Sequence, residues 1–193
     1  PCLGVDIGTT SIKIAEIIPE KTGVRLGNYG MLETLGYLTR GTTALQASGL
    51  KIFEQEVGGY LKIAKDRMHT NTVRAVASLP SFSVFSTIID LPPMPEKEIV
   101  QAVQFKARQY IPLPITSVSL DFTRISDQRV LVFAIPNDII VKYKLIFKTA
   151  GLELVALEAE GVSIARAFGT PTDEGSAPTL VIDIGARSTA LTI

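Results

Sequence analysis

A single cysteine, Cys2, leaves the chain without an internal disulfide or a thiolate zinc cluster, and the one histidine, His69, has no ligand partners near it in sequence. That histidine likewise leaves no Ser/His/Asp or Cys/His set for nucleophilic hydrolysis. Excess charge of either sign is missing too. Lys and Arg together number 19, as do Asp and Glu, so no overall field draws in nucleic acid or anionic lipid. Any phosphate site has to be built locally. The longest apolar runs, such as Arg129 to Pro136 and Leu180 to Ile184, are of strand length, far below the ~20 residues that span a bilayer. Membrane association is therefore expected through partners. The chain opens directly into a strand-like run with no charged leader, so no signal peptide is expected, and the cysteine usage fits a reducing, cytoplasmic setting.

What is present is enough for a sizeable core: 193 residues suffice for one large domain or two small ones. Leu3 to Ile7 and Ser11 to Ile18 read as strands joined by the small-residue turn Gly8-Thr9-Thr10, and Val24 to Leu32 extends the meander. Phe53, Val57, Tyr60, Leu61 and Ala64 follow helical spacing, which predicts an amphipathic helix from about Ala44 to His69. Val73 to Leu79 returns as a strand. From Ser81 the character changes: a strand-like run to Leu91, then Pro92-Pro93-Met94-Pro95, then a helix from Glu96 to about Tyr110 that stops at Pro112-Leu113-Pro114. Pro95 at the helix start, with Glu96 and Glu98 in the first turn, suits the helix dipole. Strands Val118 to Ile125 and Arg129 to Ile135 complete a βαββ unit. Asp138 is placed to cap a helix carrying Ile139, Tyr143, Ile146 and Phe147, closed by Gly151. A strand Leu154 to Leu157, a helix Glu160 to Phe168 and a loop Gly169 to Pro178 follow, and a second hairpin pairs Thr179 to Ile184 with Ser188 to Ile193.

The two hairpins echo one another, Val5-Asp6-Ile7-Gly8-Thr9-Thr10 against Ile182-Asp183-Ile184-Gly185-Ala186-Arg187-Ser188-Thr189. Each sets an Asp at the end of an apolar strand, a Gly that lets backbone approach a ligand, and then hydroxyls at the turn. Those are ingredients of a phosphate cradle. Asp6 and Asp183 suit magnesium or its waters, because hard cations take oxygen ligands. Lys13 is in reach of a terminal phosphate as a point charge. A structural hairpin turn is the competing reading of either copy alone; the pair in this order favours the cradle.

Paired in this way, the hairpins resemble the phosphate-1 and phosphate-2 motifs of the actin, sugar kinase and DnaK-type superfamily, which clamp ATP between two ribonuclease-H-like halves. Within it the chain is most similar to the PilM family of type IV pilus assembly proteins. The supporting segments are Asp6-Ile7-Gly8-Thr9-Thr10-Ser11-Ile12-Lys13, Leu91-Pro92-Pro93-Met94 through Glu96-Lys97-Glu98, Gln109-Tyr110-Ile111-Pro112-Leu113-Pro114 and Asp183-Ile184-Gly185-Ala186.

The resemblance implies an α/β actin-like fold. Residues 1–80 and 137–170 would form subdomain 1A, the βαββ unit 81–136 the inserted subdomain 1C shared with FtsA, and 178–193 the start of subdomain 2A. It implies ATP and Mg2+, with Asp6, Gly8, Thr9, Thr10 and Lys13 on one side of the phosphates and Asp183, Gly185, Ser188 and Thr189 on the other. Magnesium would be held by Asp6 and Asp183 through water. Glu160 falls where relatives carry an acid that orients attacking water; a helix-start carboxylate favoured by the dipole is the other reading. Arg187 departs from the usual small residue, leaving open a phosphate contact, a solvent position or crowding. The remainder of subdomain 2A, subdomain 2B and the adenine-binding segment are not represented, so this chain alone is expected to bind ATP weakly or not at all.

The implied role is a nucleotide-dependent cytoplasmic scaffold, at most a weak ATPase. It would sit at the inner face of the inner membrane, bind a PilN N-terminal cytoplasmic peptide near subdomains 1A and 1C, and meet other pilus platform proteins. Self-association is left open. An FtsA-like filament protein and a small-molecule kinase of the same superfamily are the alternatives; the chain shows neither an amphipathic membrane tail nor evident pocket residues for a metabolite.

Overall fold

The structure, a computed structural model, describes residues 1–34, 47–168, 179–186 and 188–193, with backbone alone over 47–53. The expected helix start at Ala44, the loop Gly169 to Pro178 and Arg187 lie outside the described residues. In chain order the elements are β1 (Cys2–Ile7), β2 (Ser11–Glu20), β3 (Gly23–Glu33), α1 (Ala47–Met68), β4 (Arg74–Leu79), β5 (Phe85–Asp90), α2 (Glu96–Ala107), β6 (Val118–Ser126), β7 (Arg129–Pro136), α3 (Asn137–Thr149), β8 (Glu153–Ala159), α4 (Glu160–Phe168), β9 (Val181–Ile184) and β10 (Thr189–Thr192). They form two compact units, Pro1–Pro80 with Lys142–Ile193, and Ser81–Val141.

In the first unit five strands lie in the order β3-β2-β1-β4-β8. The β1-β2-β3 meander is antiparallel, while β4 pairs parallel with β1 on one side and with β8 on the other. Period-two alternation turns Leu3 and Val5 of β1, Ile12 and Ile14 of β2, and Ala75, Ala77 and Leu79 of β4 inward, each essentially removed from solvent. Against that face α1 lays Val57, Leu61, Ala64 and Met68 at helical spacing, and α3 contributes Ile146 and Phe147.

Glu16 breaks the apolar pattern on the inward side of β2. It is 1% exposed, and its carboxylate accepts from the Asn71 amide at 2.8 Å, which ties the loop before β4 to the sheet. The end of α3 is a Schellman turn: Gly151 takes φ +68, its amide donates to the Lys148 carbonyl at 3.1 Å, and the Leu152 amide donates to the Phe147 carbonyl at 2.9 Å.

The second unit is a three-stranded antiparallel sheet in the order β5-β7-β6. Its core joins Ile89, Val118, Val130, Val132 and Ala134 of the sheet to Ile99, Val103 and Ala107 of α2. Three local expectations change. The run after Ser81 opens as a 3-10 turn, Ser81–Ser83, before β5 begins at Phe85. α2 ends at Ala107, where the Tyr110 and Ile111 amides both turn back to the Ala107 carbonyl ahead of Pro112. Asp138 is not the cap of α3: the helix starts at Asn137, whose side chain accepts from Ser119 Oγ at 2.8 Å and donates to the Thr116 carbonyl at 3.2 Å, leaving Asp138 in the first turn.

Two adjacent glycines in α1 respond oppositely to a methyl group. A Cβ on Gly58 would lie 2.6 Å from Thr149 Cβ and 2.9 Å from the Ile146 carbonyl, whereas Gly59 has nothing within 4 Å. Gly58→Ala should therefore destabilise by about 1–3 kcal/mol through overpacking, overriding the gain in helix propensity. Gly59→Ala should stabilise by about 0.5–1 kcal/mol. Urea unfolding of the two variants checks this, and a stabilised Gly58→Ala would show that α1 and α3 do not approach so closely.

Candidate functional site

The first hairpin turns where β1 runs out. Asp6 lies directly across from Lys13 and Ile7 from Ile12, and the Gly8 amide closes the turn on the Ser11 carbonyl at 2.9 Å. The second hairpin repeats the arrangement: Asp183 lies across from Ala190, Ile184 from Thr189, and the Gly185 amide meets the Ser188 carbonyl at 2.9 Å. Neither glycine has a positive φ. What requires glycine is close approach, since a Cβ would stand 3.2 Å from the Ser11 carbonyl in one turn and 3.0 Å from the Ser188 carbonyl in the other. The copies differ in charge, because the position of Lys13 in the first is Ala190 in the second.

Around Asp6 the sheet supplies two partners. Ser78, its parallel neighbour at the end of β4, donates to Asp6 Oδ1 at 3.1 Å, and Lys13 Nζ lies 3.4 Å from Oδ2. The Lys13 and Asp6 side chains are 59% and 42% exposed, so this is a surface ion pair that costs little to break. Thr9 is half-buried and Thr10 exposed; in the second hairpin Asp183, Gly185, Ser188 and Thr189 are all exposed.

Glu160 opens α4 at the C-terminal end of β8. Burial, joined by the negative charges of Asp6 and Glu160, pushes the Tyr143 hydroxyl far above its ordinary pKa, so it keeps its proton at any physiological pH. The next residue, Gly161, is close to β10, where a Cβ would come 3.5 Å from Thr192 Oγ1. The start of α4 thus lies against the second hairpin. The orientation of α4 is set by Glu158, which accepts from Ser163 Oγ at 2.8 Å and pairs with Arg166.

Sequence reasoning overlooked Ser78 and Tyr143. The only signal for Ser78 was a hydroxyl at the end of a strand; Tyr143 read as one more apolar position of a helix. Among the described residues no group of three or more His, Cys, Asp or Glu side chains is arranged to hold a metal ion. A depression lined by Lys65, His69, Asn71, Arg74 and Glu153 lies at the N-terminal ends of β4 and β8. That is the wrong edge for a ligand site in an open α/β sheet, where ligands bind beyond the carboxyl ends of the strands.

An antiparallel meander continued by parallel strands in this order, with Gly-closed turns at the strand ends, defines an actin-like α/β protein. The chain belongs to the PilM family: the model described as type IV pilus assembly protein PilM matches residues 4–193. Among solved structures it is similar to a PilM-PilN type IV pilus biogenesis complex, with a TM-score of 0.79 and 27% identity over 98% of this chain and 56% of that one. It therefore spans little more than half the length of that relative. The fold is also that of the cytoplasmic domain of EpsL, an inner-membrane component of the type II secretion system of Vibrio cholerae, with a TM-score of 0.53 and 11% identity over 81% of this chain and 56% of that one. No described helix is long and apolar enough to cross a membrane.

Ser78→Ala removes one of the two partners of Asp6 and should cost about 0.5–1.5 kcal/mol of stability. Chemical denaturation measures that loss, and the carbon-13 carboxyl resonance of Asp6 should move with it. A variant with unchanged stability and an unmoved resonance would mean that the bond to β4 does not form in solution.

Proposed function

We propose that the chain is the nucleotide-sensing part of a cytoplasmic scaffold in the inner-membrane assembly platform of type IV pili. The observation that carries this reading is the doubled Asp-x-Gly turn, with matching register and closing bonds, in a member of the PilM family. In this reading the phosphates of ATP lie against Asp6, Gly8, Thr9, Thr10 and Lys13 on one side and Asp183, Gly185, Ser188 and Thr189 on the other.

The donor set fits magnesium held through water: Asp6 and Asp183 offer hard carboxylate oxygens at the ends of their strands, and a cation that keeps most of its waters needs no protein cage. When bound, magnesium would neutralise part of the phosphate charge. The weak Lys13–Asp6 pair allows Lys13 to leave Asp6 for a phosphate oxygen. Glu160, at the start of α4, is the candidate for orienting water in any slow hydrolysis.

The output of such a site is conformational: a nucleotide held by both hairpins biases their separation, and a partner that prefers one arrangement is coupled to it. The partner proposed is the cytoplasmic N-terminal segment of PilN, because the similar PilM was solved in complex with PilN. Association with the inner membrane would then run through partners. The Ser81–Val141 unit has features suited to an extended peptide. β5 is an edge strand carrying exposed Phe85 and Ile88, and α2 exposes Val100 and Phe105.

Lys13→Ala should weaken ATP binding about tenfold or more, the loss expected for a charge-assisted phosphate contact. Calorimetry on the full-length protein measures it, and an unchanged affinity removes Lys13 from the site.

Titration with the PilN segment should shift amide resonances between Ser83 and Ile135, with affinity resting on apolar anchors. Shifts confined to the turns at Gly8 and Gly185 would contradict the docking surface.

A further inference from the structure

Four polar residues form one row across the carboxyl edge of the five-stranded sheet. Lys13 of β2 is paired with Asp6 of β1, Asp6 with Ser78 of β4, and Ser78 with Glu158 of β8. Cross-strand partners share a face of the sheet. Their chain neighbours Ile12, Val5, Ala77 and Leu157 all turn to the core that α1 and α3 cover, so the row stands on the opposite face. On that face lies α4, whose Ser163 and Arg166 both reach Glu158.

Two carboxylates in the row thus flank one hydroxyl. A serine hydroxyl carries a single proton to donate. In this structure Ser78 gives it to Asp6 Oδ1 at 3.1 Å, which leaves Oδ2 to Lys13 Nζ at 3.4 Å. Glu158, on the other side of Ser78, is the more enclosed carboxylate, its side chain 20% exposed against 42% for Asp6. Enclosure makes donors more necessary, and α4 supplies them. Ser163 Oγ donates to Glu158 Oε2 at 2.8 Å, and Arg166 pairs with Oε1. With both oxygens served from the helix, Glu158 does not draw the proton of Ser78 away from Asp6.

We infer that Ser78 is a positioning residue for the first phosphate turn and that α4 keeps it in that role: by filling Glu158, Ser163 and Arg166 leave the Ser78 proton to Asp6, whose carboxylate is thereby fixed with Oδ2 toward Lys13. Ser163 acts on Asp6 through Glu158 and Ser78, without touching it. The service of Asp6 to the phosphates rests on the nucleotide reading above; the order of bonds along the row does not.

Two readouts test this on the full-length protein, and the first needs no nucleotide. The carbon-13 carboxyl resonance of Asp6, assigned by its absence in Asp6→Asn, should move in Ser78→Ala. It should move in the same direction, and by less, in Ser163→Ala, which leaves one oxygen of Glu158 open to Ser78. In a Ser78→Ala background Ser163→Ala should add nothing, because its effect passes through the hydroxyl. A resonance that ignores Ser163→Ala, or that answers to it equally without Ser78, overturns the inference. The second readout is Mg-ATP affinity by calorimetry. Ser78→Ala should weaken it about threefold to tenfold, the value of one hydrogen bond, and Ser78→Thr, which keeps the hydroxyl, should restore it. Undiminished affinity in Ser78→Ala, or a threonine variant as weak as the alanine one, also overturns the positioning role. If wild-type protein binds no Mg-ATP while the Asp6 resonance answers to Ser163 only through Ser78, the nucleotide reading falls and the order of bonds along the row stands.

Discussion

The parallel pairing of β4 between β1 and β8 is the constraint on which the rest of the first unit depends. Parallel neighbours cannot be joined by a tight turn; each connection has to leave the sheet and return. Here the connection from β4 to β8 is long enough to contain the whole Ser81–Val141 unit, and α3, which begins inside that unit, brings the chain back. Three strands then end at the same edge, which gathers Asp6 from β1, Ser78 from β4 and Glu160 beyond β8.

That edge is supported from beneath by close packing. Ala75 and Ala77 give β4 an inward face of small side chains, and Gly58 allows α1 to approach Thr149 and the Ile146 carbonyl at the end of α3. The two helices that flank the core are thus held by contacts that a single methyl group would disturb. The Schellman turn at Gly151 adds a fixed exit, so that α3 delivers β8 into its place beside β4.

Electrostatically the site is lightly built. Lys13 and Asp6 form an exposed pair, the second hairpin lacks the lysine, and its Asp183 is in solvent. In the nucleotide reading proposed above, little native structure would have to be undone for Lys13 to change partner. The better-anchored groups are behind the turn, where Ser78 holds one oxygen of Asp6 and Phe147 holds the ring of Tyr143.

Much of this was legible in the sequence by itself, because it is local. Alternation in β1 and β2, the spacing of Val57, Leu61 and Ala64 in α1, and the proline punctuation around α2 identify elements without knowledge of their neighbours. The same holds for the two Asp-x-Gly hairpins, whose likeness to each other and to the PilM family already points to the actin-like α/β fold. Other features were decided only by tertiary structure. Asp138 has the residue type of a helix cap, yet Asn137 takes the first position because Thr116 and Ser119, remote in sequence, supply its bonds. Glu16 falls on the inward face of β2 and is tolerated there because Asn71 reaches it from another loop. Ser78 and Tyr143 look like ordinary strand and helix residues until β4 and α3 are set beside Asp6. Periodicity reports which face of an element is apolar; which polar group meets which depends on the pairing of segments far apart in the chain, and no local pattern records it.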